Sequence, residues 1–183
     1  MANIRLPIET ERLLVRPLRL DDAGGLHELY SDAEAMRFLE APSAIPRTPA
    51  ESRAWVQSKV DLFERDGGMS LWAVVERESG RVIGDAGLQW ETIAGERELD
   101  LGCRIVRRLH GRGYGTEASC AILRAAFDAG FERVTAQTAP DNAAALEVLR
   151  RIGFRIEGET EWEGRPMAFG VCERLGQLLE TGT

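Results

Sequence analysis

Between Arg107 and Ala118 the chain reads RRLHGRGYGTEA, with Gly111, Gly113 and Gly115 at alternate positions between a strand-like run and a helix-like one. Glycines there let main-chain amides turn toward one point without Cβ obstruction. The unpaired amides of a helix N-terminus face that same point with the positive end of the helix dipole. The chemistry such a bend performs is anion binding: a pyrophosphate fits it, and Arg112 can add charge from the side. A tight strand-to-helix turn that binds nothing would use the same residues. A P-loop would need Gly-Lys followed by Ser or Thr, which this loop lacks, and a dinucleotide fold sets its glycines after the first strand of a parallel sheet.

The elements that must position this bend do not form a parallel sheet ahead of it. Leu71 to Glu76 and Val82 to Trp90 read as two strands joined through Glu78, Ser79 and Gly80. Leu99 to Ile105 reads as a third after a polar turn at Gly95, Glu96 and Arg97, so three sequential strands make an antiparallel meander. Earlier in the chain, Leu13 to Leu18 is a short strand broken by Pro17. Asp21 offers a cap for a weak helix carrying Gly24, Gly25, Leu26, Leu29 and Tyr30. A firmer helix starts at Thr48, with Pro49 at its first position and Glu51 completing a capping box; it buries Val56, Val60 and Phe63 and stops near Asp66. After the glycine bend, Thr116 to Ala129 is a helix with Ala118, Ile122, Ala125 and Ala129 on one stripe. Val134 to Thr138 is a strand, Asn142 to Ile152 a helix, Phe154 to Glu159 a strand, and Met167 to Cys172 a last strand reached through a turn at Glu163 and Gly164.

Composition narrows the function classes. The chain has 183 residues, the length of one ordinary domain, with 44% hydrophobic content. A formal charge of −7 argues against nucleic-acid or anionic-membrane binding, although a local basic patch gathers at Arg104, Arg107, Arg108 and Arg112. Cys103, Cys120 and Cys172 are odd in number and widely spaced, which suggests neither a disulfide framework nor a metal site and fits a reducing cytoplasm. No apolar run resembles a signal peptide or approaches the roughly 20 residues of a membrane span.

His110-Gly111-Arg112-Gly113-Tyr114-Gly115-Thr116-Glu117-Ala118 resembles the acetyl-CoA pyrophosphate motif of the GNAT acyltransferases, in the form of their RimJ/RimL-like branch. Three other segments agree in order and spacing: Thr10 through Leu18, Asp100 to Cys103, and Asn142 through Leu149 to Ile152-Gly153-Phe154. The resemblance spans nearly the whole chain. It implies a single α/β domain over residues 1–183, with a mixed, mostly antiparallel sheet of about six or seven strands flanked by about four helices. The sheet would be splayed between the strand ending at Ile105 and the one starting at Val134.

The implied activity is acetyl transfer from acetyl-CoA to a primary amine, either a protein N-terminus or a small molecule, by direct attack in a ternary complex. The main chain of Cys103, Arg104 and Ile105 would pair with the pantetheine arm, and Gly111, Arg112, Gly113, Tyr114, Gly115 and Thr116 would hold the pyrophosphate. Asn142 stands at the family's cofactor-contacting asparagine and equally suits a helix cap. Two positions depart from the pattern: His110 replaces the usual glutamine, arginine or tryptophan, and Ala145 replaces a serine thought to serve the departing thiolate. Backbone amides near the bend of the third strand could stabilise the developing oxyanion. Asp100, with Glu98 on the same strand face, is the candidate general base. His110, pointing along the phosphate end, and Cys103 as an acyl-carrying nucleophile are weaker candidates.

Trp162 and Trp90 are candidates to line the acceptor pocket, with Trp162 at its entrance, while Trp72 reads as core. Glu91, Glu161 and Glu163 could favour cationic amines or simply be solvated. A non-catalytic acyl-CoA sensor on the same fold is the alternative, and an unrelated nucleotide-binding protein a third. An exposed last strand would permit a homodimer. The acceptor's identity is not written in the motifs.

Overall fold

A computed structural model of the chain describes residues 4–38 and 48–174. Its strands are β1 (Ile8–Glu9), β2 (Leu13–Pro17), β3 (Ser70–Glu76), β4 (Val82–Ile93), β5 (Glu96–Ile105), β6 (Arg133–Thr138), β7 (Arg155–Trp162) and β8 (Arg165–Glu173). They form one sheet in the order β1-β2-β3-β4-β5-β6-β8-β7. The two-residue β1, which pairs with β2, takes the count to eight. So short a piece leaves no periodicity to read.

Two tight turns set the register. Ala94 and Gly95 between β4 and β5 have φ of +50° and +88°, and Glu163 and Gly164 between β7 and β8 have φ of +49° and +76°. Two consecutive left-handed residues give the turn whose twist matches that of the flanking strands. The first turn pairs Gln89 with Asp100 and Glu91 with Glu98, which puts these four side chains on one face of the sheet.

The helices are α1 (Ala23–Tyr30), α2 (Ala33–Met36), α3 (Pro49–Arg65), α4 (Tyr114–Asp128) and α5 (Ala143–Arg151). The capping box expected at α3 is present: the Thr48 hydroxyl accepts from the Glu51 amide, and the Glu51 carboxylate accepts from the Thr48 amide. Asp66 is its C-cap, followed by left-handed Gly67 and Gly68. α2 was not expected; the Asp32 carboxylate caps it by accepting from the amides of Glu34 and Ala35. On α4 the buried stripe is Ala118, Ser119, Ile122, Leu123, Ala126 and Phe127, with Ala125 and Ala129 only partly covered. The bulkier Leu123 and Phe127 remove more apolar area from water than alanines do, and so orient the helix.

α1 and α3 lie over the face of the sheet that carries Asp85 and Asp100, because Tyr30 of α1 donates to buried Asp85. α4 lies on the other face, where Gly115 meets Cys103 and Ile105. Trp72 is fully buried and its indole donates to the Gly68 carbonyl (3.0 Å), as a core residue should. β5 and β6 form the parallel pair, and they are in register only at Asp100 and Thr135. Beyond that point Cys103, Arg104 and Ile105 form no pair with β6, so the expected splay opens there, and the glycine bend follows directly after β5.

Candidate active site

The site has an anion side and an acid side, joined by β5. On the anion side, a short 3-10 turn over Arg107–Leu109 leaves β5, anchored by buried Leu109. The His110 imidazole Nε2 lies 2.7 Å from the Ile105 carbonyl, so this side chain ties the loop to the end of the strand. Gly111 and Gly113 have φ of +73° and +79°, a region where a Cβ is strained, and Gly113 is the N-cap of α4. Thr48 caps α3 and Asn142 caps α5, but no side chain caps α4. Its first amides therefore keep their donor capacity for an outside acceptor.

Charges around the loop are largely committed. Arg107 pairs with Asp32 and Arg108 with Glu28, each at 2.8 Å, while Arg104 forms a two-point pair with buried Asp85 at 2.7 and 3.1 Å. Among the described residues Arg112 makes no ion pair, and it is exposed. The basic patch of the sequence thus reduces to Arg112 as a charge available to an anion.

On the acid side, Asp100 sits at the last point of β5–β6 contact. The Thr135 hydroxyl donates to its Oδ1 (2.9 Å), and no cation pairs with it among the described residues. Burial raises its pKa to about 7; the Thr135 bond opposes the rise and the charges of Glu91 and Glu98 add to it. Glu98 is different, because its carboxylate is held by Arg133 at 3.0 Å. Burial also raises Glu91, against the pull of Lys59, whose ammonium donates to Gln89 (2.9 Å). Asp100 thus combines a pKa raised to about 7 with the absence, among the described residues, of a paired cation, whereas Glu98 is held by Arg133.

Thr135 and Gln137 were not foreseen. Gln137 lies two residues along β6 from Thr135, hence on the Asp100 face, and its Oε1 is buried with no hydrogen-bond partner. A buried acceptor of this kind takes a hydrogen bond from a water or from a ligand N–H. With the uncapped helix, the two left-handed glycines and the unpaired edge of β5, it fits an extended amide-containing arm ending in a diphosphate.

Asn142 does cap α5, accepting from the Ala145 amide (3.2 Å) while its own amide donates to Thr138 (3.1 Å). Burial pushes the Cys103 thiol up to about 11, so it is not a ready nucleophile at neutral pH. Trp90 is on the wrong face for a pocket at Asp100. It pairs with Leu99, stacks edge-on against Phe131 (6.2 Å) and lies under the Arg97 guanidinium (4.2 Å). Trp162 is partly exposed at the tip of the β7–β8 hairpin, opposite Arg165. β7 also contacts β4, although three strands separate them in the sheet, so this hairpin folds back toward the meander. Among the described residues no group of three or more His, Cys, Asp or Glu side chains could hold a metal ion, and no helix is long and apolar enough to cross a membrane.

Comparison with known proteins gives the same direction. The family profile described as "Acetyltransferase (GNAT) domain" matches residues 12–155. YkkB of Bacillus subtilis is 26% identical over 174 residues, covering 94% of this chain and 97% of its own. The N-acetyltransferase p20 of Bacillus licheniformis is 28% identical over 154 residues, 81% of this chain and 82% of its own. A GNAT-family acetyltransferase structure from Bacillus anthracis superposes with a TM-score of 0.77 at 22% identity, over 92% of this chain and 98% of that one. RimL, the ribosomal L7/L12 alpha-N-protein acetyltransferase in complex with coenzyme A, superposes with a TM-score of 0.76 at 20% identity, over 91% and 97%. At these identities the two structures share the fold with this chain.

Proposed function

This chain belongs to the GNAT acetyltransferase family, and on that premise we propose that it moves an acetyl group from acetyl-CoA to a primary amine that attacks directly in a ternary complex. The observation that carries this reading is the position of Asp100. It is a carboxyl with pKa near 7, at the point where β5 and β6 part, on the strand that leads to an uncapped helix.

Acetyl-CoA supplies the acyl group as a thioester when bound. The amides from Gly111 to Thr116 and the Arg112 side chain hold its diphosphate. The free edge of β5 at Cys103, Arg104 and Ile105 receives the pantetheine arm, and Asn142, which caps α5, stands at the position where the family contacts the cofactor. Thr135 occupies one oxygen of Asp100 and leaves the other for the incoming amine. An amine is cationic at neutral pH, so it must give up a proton before it attacks. Asp100, whose carboxyl pKa burial raises to about 7, is able to take it. Glu98 lies on the same strand face, its carboxylate paired with Arg133, and its charge adds to the rise of the Asp100 pKa. We assign this activity to a single domain over residues 1–183, with Trp162 at the acceptor entrance and Trp90 in the packing against Phe131.

The test is thiol release from acetyl-CoA by purified protein across a panel of primary amines, with the acetylated product identified by mass. Thiol release without an acetylated amine would reject the reading. Ala145, which presents a methyl group where the branch carries a hydroxyl, favours a second one, an acyl-CoA-binding sensor. Tight coenzyme A binding with no turnover across the panel would select it.

A further inference from the structure

The N-terminal segment ends on a side chain that reaches 100 positions along the chain into the glycine bend. Arg12, just ahead of β2, donates from one guanidinium nitrogen to the Arg112 carbonyl (2.9 Å). Its other nitrogens grip Glu117 in the first turn of α4, Nε at 2.6 Å and the second terminal nitrogen at 2.5 Å. Its plane lies over the Tyr114 ring at 4.4 Å, and the Tyr114 hydroxyl is itself held by Glu76 at 2.6 Å. Thr10 and the Arg12 amide complete the shell around Glu117, donating at 2.5 and 3.0 Å.

Two physical consequences follow for the anion site. The Arg112 carbonyl and the Gly113 N–H belong to one planar trans peptide and point in opposite directions. Holding the oxygen toward Arg12 therefore turns the Gly113 N–H away from Arg12, and no main-chain acceptor takes it among the described residues. The second consequence is electrostatic. A carboxylate in the first turn of a helix competes with any bound anion for the positive end of the dipole. Partial burial pushes the Glu117 carboxyl up, but the bonds from Thr10 and Arg12 outweigh it and hold the group below the usual carboxylate range. Glu117 is thus ionised, and the Arg12 guanidinium cancels its charge beside the loop.

We propose that Arg12 is a positioning residue for the diphosphate site, which orients the Arg112–Gly113 peptide and neutralises Glu117 so that the loop can accept an anion. The inference rests on the acetyl-CoA reading above. Coenzyme A binding is measured by calorimetry for wild type, Arg12→Met, Arg12→Lys, Glu117→Gln and the Arg12→Met/Glu117→Gln double variant, with the melting temperature of each free protein recorded alongside. Arg12→Met is expected to weaken coenzyme A about tenfold and Arg12→Lys, which keeps the charge but not the fork, about threefold. The double variant is expected to regain at least about threefold over Arg12→Met, because the uncompensated carboxylate is gone. A merely structural role would lower the melting temperature without that recovery. Affinity of both single Arg12 variants within twofold of wild type, or a double variant no tighter than Arg12→Met, overturns the proposal. If Arg12→Met does not fold, the same comparison is made with the likewise uncharged Arg12→Gln and its Arg12→Gln/Glu117→Gln double. Failure of the wild type to bind coenzyme A at all would instead reject the cofactor reading.

Discussion

Replacing Asp100 with asparagine keeps the side chain's shape and removes its proton. The carboxyl has a pKa of about 7 in the folded chain against an ordinary 3.8. Between those values the folded state keeps a proton that the unfolded state has released, so stability falls as pH rises through the window and levels off above it. Each pH unit is worth about 1.4 kcal/mol, which sets an upper limit of about 4 kcal/mol. Solvent access to a half-buried group reduces this to roughly 1–2 kcal/mol. Asp100→Asn should therefore melt roughly 3–6 °C above wild type at pH 8 and level with it near pH 4. Activity should move the opposite way. Wild-type kcat/KM should rise with slope one up to about pH 7, and the variant should lose roughly 10²–10³ together with that limb. Thiol-release rates and thermal melts across pH read both effects. A variant as active as wild type with the same acidic limb, or one less stable at pH 8, would refute the reasoning.

Gly113→Ala forces a side chain into φ +79° and sets its Cβ 3.5 Å from Arg12, so coenzyme A affinity should fall about tenfold in calorimetry while the fold survives. Gly24→Ala, in helical backbone with open space around it, should raise stability by about 0.5–1 kcal/mol in urea unfolding and leave turnover unchanged. Asp85→Ala removes the two-point partner of Arg104 under the acceptor face, and unfolding should become easier by roughly 3–5 kcal/mol.

Much of the fold was legible because the decisive signals are contiguous. Thr48, Pro49 and Glu51 specify one helix start within four residues, and three alternating glycines before an apolar stripe specify a strand-to-helix bend. The short α2 depends on a single aspartate cap, which is too common a residue to mark a helix. The face of Trp90 was not legible because it depends on register. A turn at Ala94-Gly95 sets Trp90 against Leu99, whereas a turn read one or two residues later leaves the pairing open, and a slip of one residue exchanges the faces. Asp100 could be named from its segment, but the features that distinguish it from Glu98 lie 35 positions away, in Thr135 and Arg133. The grip of Arg12 on the glycine bend is likewise a product of tertiary packing, across 100 positions of chain.

Amide hydrogen exchange with and without acetyl-CoA tests the anion cradle most directly. Slowed exchange confined to the residue 111–117 bend and the free edge of β5 from Leu101 to Ile105 is the expected result. Binding that leaves those amides exchanging as fast as in the free protein, or that protects another part of the sheet instead, would contradict the account.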